Sequence, residues 1–159
     1  MNAGKSTTLL HFGENYVQEA VDKITQIKEH IPDPVQWHFI GPVQSNKTKD
    51  IAQNFDWVQS VEREKIARRL NEQRPDSLEQ LNILLQVNID DDGNKSGLAP
   101  EQVEELAEYV MSCSRLKLRG LMTILKAETT EEQRKQSFQH MFRLYEQLQQ
   151  TCGEQIDTL

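Results

Sequence analysis

Trp37-His38-Phe39-Ile40-Gly41-Pro42-Val43-Gln44-Ser45-Asn46-Lys47 decides how the chain is read. Four residues of apolar and aromatic character run into Gly41-Pro42, which stops a strand, and Ser45-Asn46 then offers side-chain oxygens that can cap a following helix. The pattern is that of a βα unit, which presents polar groups just past the carboxyl end of a parallel strand.

The same alternation extends both ways. His11–Tyr16 reads as a short strand and turn, and Val17, Ala20, Val21, Ile24, Ile27 and Ile31 follow at helical spacing until Pro32 and Pro34 stop them. After the opening stretch, whose strand is expected over Trp37–Gln44, comes a helix with Ile51, Ala52 and Phe55 inward. Then follow a strand at Trp57–Val61, a helix marked by Ile66, Ala67 and Leu70 and ended by Pro75, and a near-continuous apolar run at Leu81–Ile89. A run of that kind fits a strand covered on both faces. A helix starts near Pro100, a strand spans Leu116–Leu125, and the longest helix starts at Thr129 or Thr130, with Glu132 or Gln133 at capping-box distance. Its stripe of Phe138, Met141, Phe142, Tyr145 and Leu148 is expected to be core. Ile156-Asp157-Thr158-Leu159 opens a further strand. Strand and helix alternate with strand spacings of about 20–40 residues, which predicts a parallel α/β sheet, either open and doubly wound or closed as a barrel.

The chain has 159 residues, 27% of them charged and 36% hydrophobic, with a net charge of −7. That length suits one domain, and the acidic balance (pI about 5.1) argues against a nucleic-acid surface. No run approaches a membrane span and the start carries no signal-peptide core. Cys113 and Cys152 match no metal or redox spacing and are expected as reduced thiols in a cytoplasmic protein.

Polar residues cluster just after strands: Asn15, Ser45 with Asn46, Asn88 and Thr123. His38 lies between two aromatic residues on a strand, and its plain reading is a hydrogen-bonded core histidine. Asp90-Asp91-Asp92-Gly93 suggests a calcium loop starting at Asn88, but Ala99 stands at its twelfth position where a glutamate is needed. It reads as a solvated turn, so no metal ligands and no catalytic residues are assigned. Met1–Leu10 (MNAGKSTTLL) resembles the second half of the phosphate-binding loop of bacterial thymidine kinases, without the first glycine and the strand that such a loop needs. A P-loop enzyme is therefore a minor alternative.

Phe12-Gly13-Glu14-Asn15-Tyr16-Val17-Gln18-Glu19, the opening stretch, Phe55-Asp56-Trp57, Leu70–Pro75, Gln86–Ile89, Lys95-Ser96-Gly97 and Leu118–Met122 together resemble the pyridoxal phosphate homeostasis (YggS-like) family. The resemblance spans residues 11–159, with residues 1–10 as a lead-in foreign to it. It implies a parallel (β/α) TIM-type barrel like the N-terminal domain of alanine racemase, incomplete here, with the first strand and the end of the barrel missing. It further implies pyridoxal phosphate held at the carboxyl ends of the strands, with Asn15, His38, Ser45, Asn46 and Met122 as cofactor-binding residues. The role implied is vitamin B6 and amino-acid homeostasis in the cytosol, without enzymatic turnover. The family's Schiff-base lysine is expected on a strand ahead of His11, and its phosphate-binding segment after Leu159. Lys5 stands in the wrong register for that lysine, because six residues cannot make a parallel crossover. Covalent cofactor binding is accordingly expected to be impaired, leaving a scaffold without cofactor as the alternative, and the open sheet edges favour self-association.

Overall fold

The computed structural model describes residues 10–14, 16–28, 30, 35–91, 93 and 96–159. Five parallel strands, β1 (Leu10–Glu14), β2 (Val35–Phe39), β3 (Trp57–Val61), β4 (Leu81–Gln86) and β5 (Leu116–Met122), lie side by side in chain order. The helices between them are α1 (Val17–Lys28), α2 (Thr48–Asn54), α3 (Glu64–Gln73) and α4 (Val103–Ser112), with α5 (Glu131–Cys152) after the last strand. Sequential strand order separates the two architectures that alternation alone leaves open. A doubly wound sheet reverses direction at a switch point, whereas a barrel adds each strand to the same side of the last. Each helix here also packs on the next, α1 on α2 through to α4 on α5, so the helices form one layer outside one arc of barrel.

The core fills the space between strands and helices. Trp37 and Phe39 on β2, Val58 and Val61 on β3, Leu81, Ile83 and Leu85 on β4, and Leu116 and Leu118 on β5 meet Ile24, Ile51, Phe55, Ile66, Leu70 and Val110 from the helices and the turns beside them. Phe39 and Phe55 pack edge to face with ring centres 5.5 Å apart. The other face of the arc carries His38, Trp57, Gln59, Asn82, Leu84, Gln86 and Arg119. Leu84 and Trp57 are buried outside the main cluster, which is how β4 comes to be apolar on both faces.

Arg119 is an extra residue in β5, because Ile83 pairs with Leu118 and Leu84 with Gly120. Gly120, at φ 151°, sits against the returning C-terminal segment, where Thr158 bridges to it in parallel. The expected strand opening at Ile156–Leu159 is therefore present as the start of a sixth position in the sheet. Thr130 caps α5 in a reciprocal capping box with Gln133.

Three local expectations are corrected. β2 ends at Phe39 and β5 at Met122, earlier than the apolar runs suggest, since Gly41 at φ 154° turns the chain out of the sheet after β2. Neither Ser45 nor Asn46 caps α2. Its first flanking residue is Lys47, with no side-chain cap, and the Thr48 hydroxyl instead donates back to the Ser45 carbonyl at 3.0 Å. The α5 stripe divides: Met141 and Leu148 are buried, while Phe138 and Phe142 are 57% and 51% exposed. The helical period places these residues on neighbouring flanks, but only one flank of α5 has a neighbour to cover it.

Candidate functional site

The carboxyl ends of the strands form a mouth whose loops are tied to one another by side-chain bonds to backbone. Ser60, at the end of β3, donates to the Gly41 carbonyl at 2.5 Å, which fixes the loop after β2. Glu62 after β3 accepts from the Gly97 amide at 2.7 Å, and Gln86 at the end of β4 donates to the Ser96 carbonyl at 3.0 Å. Thr123 after β5 donates to the Val87 carbonyl at 2.8 Å. The Asp90 carboxylate accepts from the Lys126 amide at 2.9 Å and the Ser137 hydroxyl at 2.5 Å, joining the β4 loop to the β5 loop and to α5. Gly97 is required here. A Cβ on it would lie 2.6 Å from the Asn88 amide nitrogen, and its φ is 131°. All of these ties but the one from Gln86 to Ser96 run from one βα unit to another, so the mouth is held in shape before any ligand arrives.

Below the mouth the inner face is closed by its own contacts. Gln59 Nε2 and His38 Nδ1 are 2.9 Å apart, and the His38 ring stacks on Trp57 with centroids 5.2 Å apart. The Arg119 guanidinium lies 4.7 Å from the Trp57 ring centre, donates to Asn82 Oδ1 at 2.9 Å, and grips Asp157 through both carboxylate oxygens, Nε to Oδ1 at 2.9 Å. The hydrogen bond from Arg119 holds the Asp157 carboxyl below its usual range, against the opposing effect of burial. Arg119 is thus satisfied by this chain and is not a free anion-binding cation. Trp57 Nε1 is buried with no hydrogen-bond partner among the described residues.

The residues singled out in the sequence fall as follows. His38 is on the inner face of β2, in the layer just described, and Met122 ends β5 beside Thr123. These two stand three strand spacings apart, about 14 Å along the sheet, so only something spanning the lumen brings them together. Ser45 and Asn46 form the turn before α2, where the Ser45 carbonyl also accepts from Arg69 Nε at 2.9 Å, which draws the turn over the helix layer. Asn15 and the MNAGKSTTLL run up to Leu9 lie outside the described residues. Thr123 takes its expected place just past a strand. The layer of Trp57, Asn82, Arg119 and Asp157 was not foreseen. Its one sequence signal is three polar or aromatic residues in otherwise apolar strands.

Among the described residues no group of three or more His, Cys, Asp or Glu side chains is placed to hold a metal ion, and no helix is long and apolar enough to cross a membrane.

The chain is 49% identical over 149 residues to the pyridoxal phosphate homeostasis protein of Pasteurella multocida, covering 93% of this chain and 64% of that protein. It is 54% identical over 116 residues to the protein of the same name from Pseudomonas aeruginosa, covering 73% of this chain and 49% of the relative. This chain therefore spans less than two thirds of the length of these relatives. Among solved structures, PipY of Synechococcus elongatus without pyridoxal phosphate (PLP) matches with a TM-score of 0.82 at 31% identity, over 91% of this chain and 66% of PipY. PipY with PLP bound matches with a TM-score of 0.79 at 29% identity over the same shares. An alanine racemase of Clostridium difficile, at 14% identity and a TM-score of 0.72, shares the fold. The model of the alanine racemase N-terminal domain matches residues 5–158, and with five sequential parallel strands under one helix layer, the chain belongs to that family of barrel domains.

Proposed function

We propose that this chain is a pyridoxal phosphate-binding protein of vitamin B6 and amino-acid homeostasis, acting in the cytosol as a carrier rather than a catalyst. The observation that carries the reading is the tied mouth at the carboxyl ends of the strands, in a fold shared with a relative whose structure is described with PLP bound. The residues present fit one wall of such a site. Met122 offers a thioether, Thr123 and Ser60 fix the rim, the Ser45–Asn46 turn follows β2 at the same end, and Asn15 follows β1. His38 lies beneath them, stacked on Trp57. Residues 11–159 form the partial barrel that builds this wall. PLP, when bound, supplies an aldehyde that captures amines and a ring that withdraws electrons.

Two features argue for non-covalent binding without turnover. Lys117 is the one lysine on the described strands, and it stands at the amino end of β5, away from the mouth. His38 and Arg119, the obvious proton-handling and charged groups of the inner face, are held by Gln59, Asn82 and Asp157 in a structural layer.

The test is incubation of the purified chain with PLP, borohydride reduction, and peptide mapping by mass spectrometry, alongside a binding titration without reductant. The expected result is saturable binding with no adduct confined to a single lysine. Absence of saturable binding rejects the cofactor reading, and a stoichiometric adduct at one lysine rejects its non-covalent form.

A further inference from the structure

A groove of about 430 Å³ lies between the start of α1 and the loop that follows β2, within the size range of small-molecule sites. Phe39 and Pro42 line it, and Tyr16, 65% exposed, stands beside them. Side chains alternate along β2, so Phe39 belongs to the core under the helices while His38 belongs to the inner face. The groove is therefore on the opposite face of the sheet from the layer of His38, Trp57 and Arg119.

Two opposite charges share its rim. Glu19 is in the first turn of α1, and Lys47 closes the turn before α2. Neither side chain has an ion pair or a hydrogen bond among the described residues, so the two do not neutralise one another across the groove. The backbone that carries them is fixed. The Tyr16 carbonyl accepts from the Ala20 amide at 3.1 Å, the Lys47 amide donates to the Gln44 carbonyl at 2.9 Å, and the Lys47 carbonyl accepts from the Ile51 amide at 3.1 Å. Phe39 is held edge to face against Phe55. Both walls are thus set in advance, and the ordering cost of a ligand falls mainly on the Glu19 and Lys47 side chains.

We propose that this groove binds a free α-amino acid with an apolar or aromatic side chain. An unpaired carboxylate, an unpaired ammonium and an apolar, aromatic lining on one groove are the complement of that class. The ligand's ammonium meets Glu19, its carboxylate meets Lys47, and its side chain lies on Phe39, Pro42 and Tyr16. A simple anion or a simple amine satisfies one of the two charges and leaves the other unmatched. Gln44 on the same rim adds an amide that can donate to the carboxylate. The inference does not rest on cofactor binding, because the groove shares neither His38 nor Met122 with the mouth.

The test is an amide NMR titration of the full chain, without PLP, using L-phenylalanine, hydrocinnamate (which lacks the ammonium) and phenethylamine (which lacks the carboxylate). L-phenylalanine is expected to shift the Tyr16, Glu19 and Lys47 amides saturably. Each analogue should bind about threefold to fivefold more weakly, the scale of one charge pair at a rim open to water. Lys47→Gln should bring L-phenylalanine down to the level of phenethylamine and leave phenethylamine unchanged. Glu19→Gln should bring it down to the level of hydrocinnamate and leave hydrocinnamate unchanged. Glu19 is exposed and Lys47 half-buried, so circular dichroism should not change in either variant. Should a variant misfold, the comparison of the ligands on the parent chain decides. Equal binding of all of them, no saturable shift at these amides, or shifts confined to the Met122–Lys126 side of the mouth overturns the proposal.

Discussion

Arg74 offers the sharpest trial of how this fold is held. The residue is 4% exposed, and its guanidinium meets three backbone carbonyls. Nη1 donates to Ala52 at 2.8 Å and to Phe55 at 2.7 Å, and Nε donates to Glu79 at 2.8 Å. Ala52 is in the last turn of α2 and Phe55 caps it, so Arg74 supplies donors to carbonyls that a helix end leaves unmatched, and a cation where the helix dipole is negative. Burial pushes the Arg74 pKa below its ordinary value, with the nearby Asp56 and Glu79 charges working the other way. Arg74→Met removes all three bonds. Glu79 is exposed and its carbonyl returns to water, but Ala52 and Phe55 are essentially inaccessible. Two stranded carbonyls cost about 1–3 kcal/mol each, and release of the buried cation offsets part of that. The expected loss is about 3 kcal/mol, a large share of the roughly 5–15 kcal/mol that holds a domain together. Urea unfolding followed by circular dichroism measures it as a lower midpoint with an unchanged slope. Arg74→Lys keeps the charge but not the fork, and should recover no more than half. A Met variant within about 0.5 kcal/mol of the parent would refute the reasoning, by showing that the carbonyls find other donors.

Two further outcomes follow from the returning C-terminal segment. A Cβ at Gly120 would fall 1.8 Å from the Thr158 carbonyl oxygen, so Gly120→Ala should expel residues 157–159, cost about 2 kcal/mol, and leave the Leu121 amide open to hydrogen exchange; an unchanged melting temperature and exchange rate would contradict this. Asp157 titrates in the folded chain below its ordinary 3.8, so its bond to Arg119 stabilises fully above that pH and is lost as pH falls through the lowered value. Its side chain is 45% exposed, so the contribution is small, about 0.5 kcal/mol, and Asp157→Asn should flatten the parent's loss of stability below 3.8 by that amount in acid titrations of unfolding.

Local signals in the sequence carried far where the cause is local. Trp57–Val61 is a strand as read, and of the capping pairs the sequence left open Thr130 with Gln133 is the one that forms, because a short strand and a reciprocal cap are each specified within a few residues. Ser45 and Asn46 failed as caps for a related reason. The bonds made there from Arg69 and the Thr48 hydroxyl go to the Ser45 backbone carbonyl, and α2 starts after Lys47 with no side-chain cap. Phe138 and Phe142 show the limit of periodicity, which tells which residues share a helix flank but not whether a neighbour exists to cover it. Arg74 was visible only as a residue before proline, since backbone carbonyls leave no trace in a sequence. The inner layer depends on longer reach still. Arg119 and Asp157 are 38 residues apart, and their pairing follows only once the strands are known to run in sequential order.

That order also accounts for how the candidate site is held. The ties across the mouth run from β3 to the loop after β2, from the end of β3 to the β4 loop, and from the β4 loop to β5 and α5. Most of the rim is held by a neighbouring unit reaching across, and the β4 loop is also tied to its own strand through Gln86 and Ser96. The chain after Leu125 is held by Asp90, which bonds both Lys126 and Ser137.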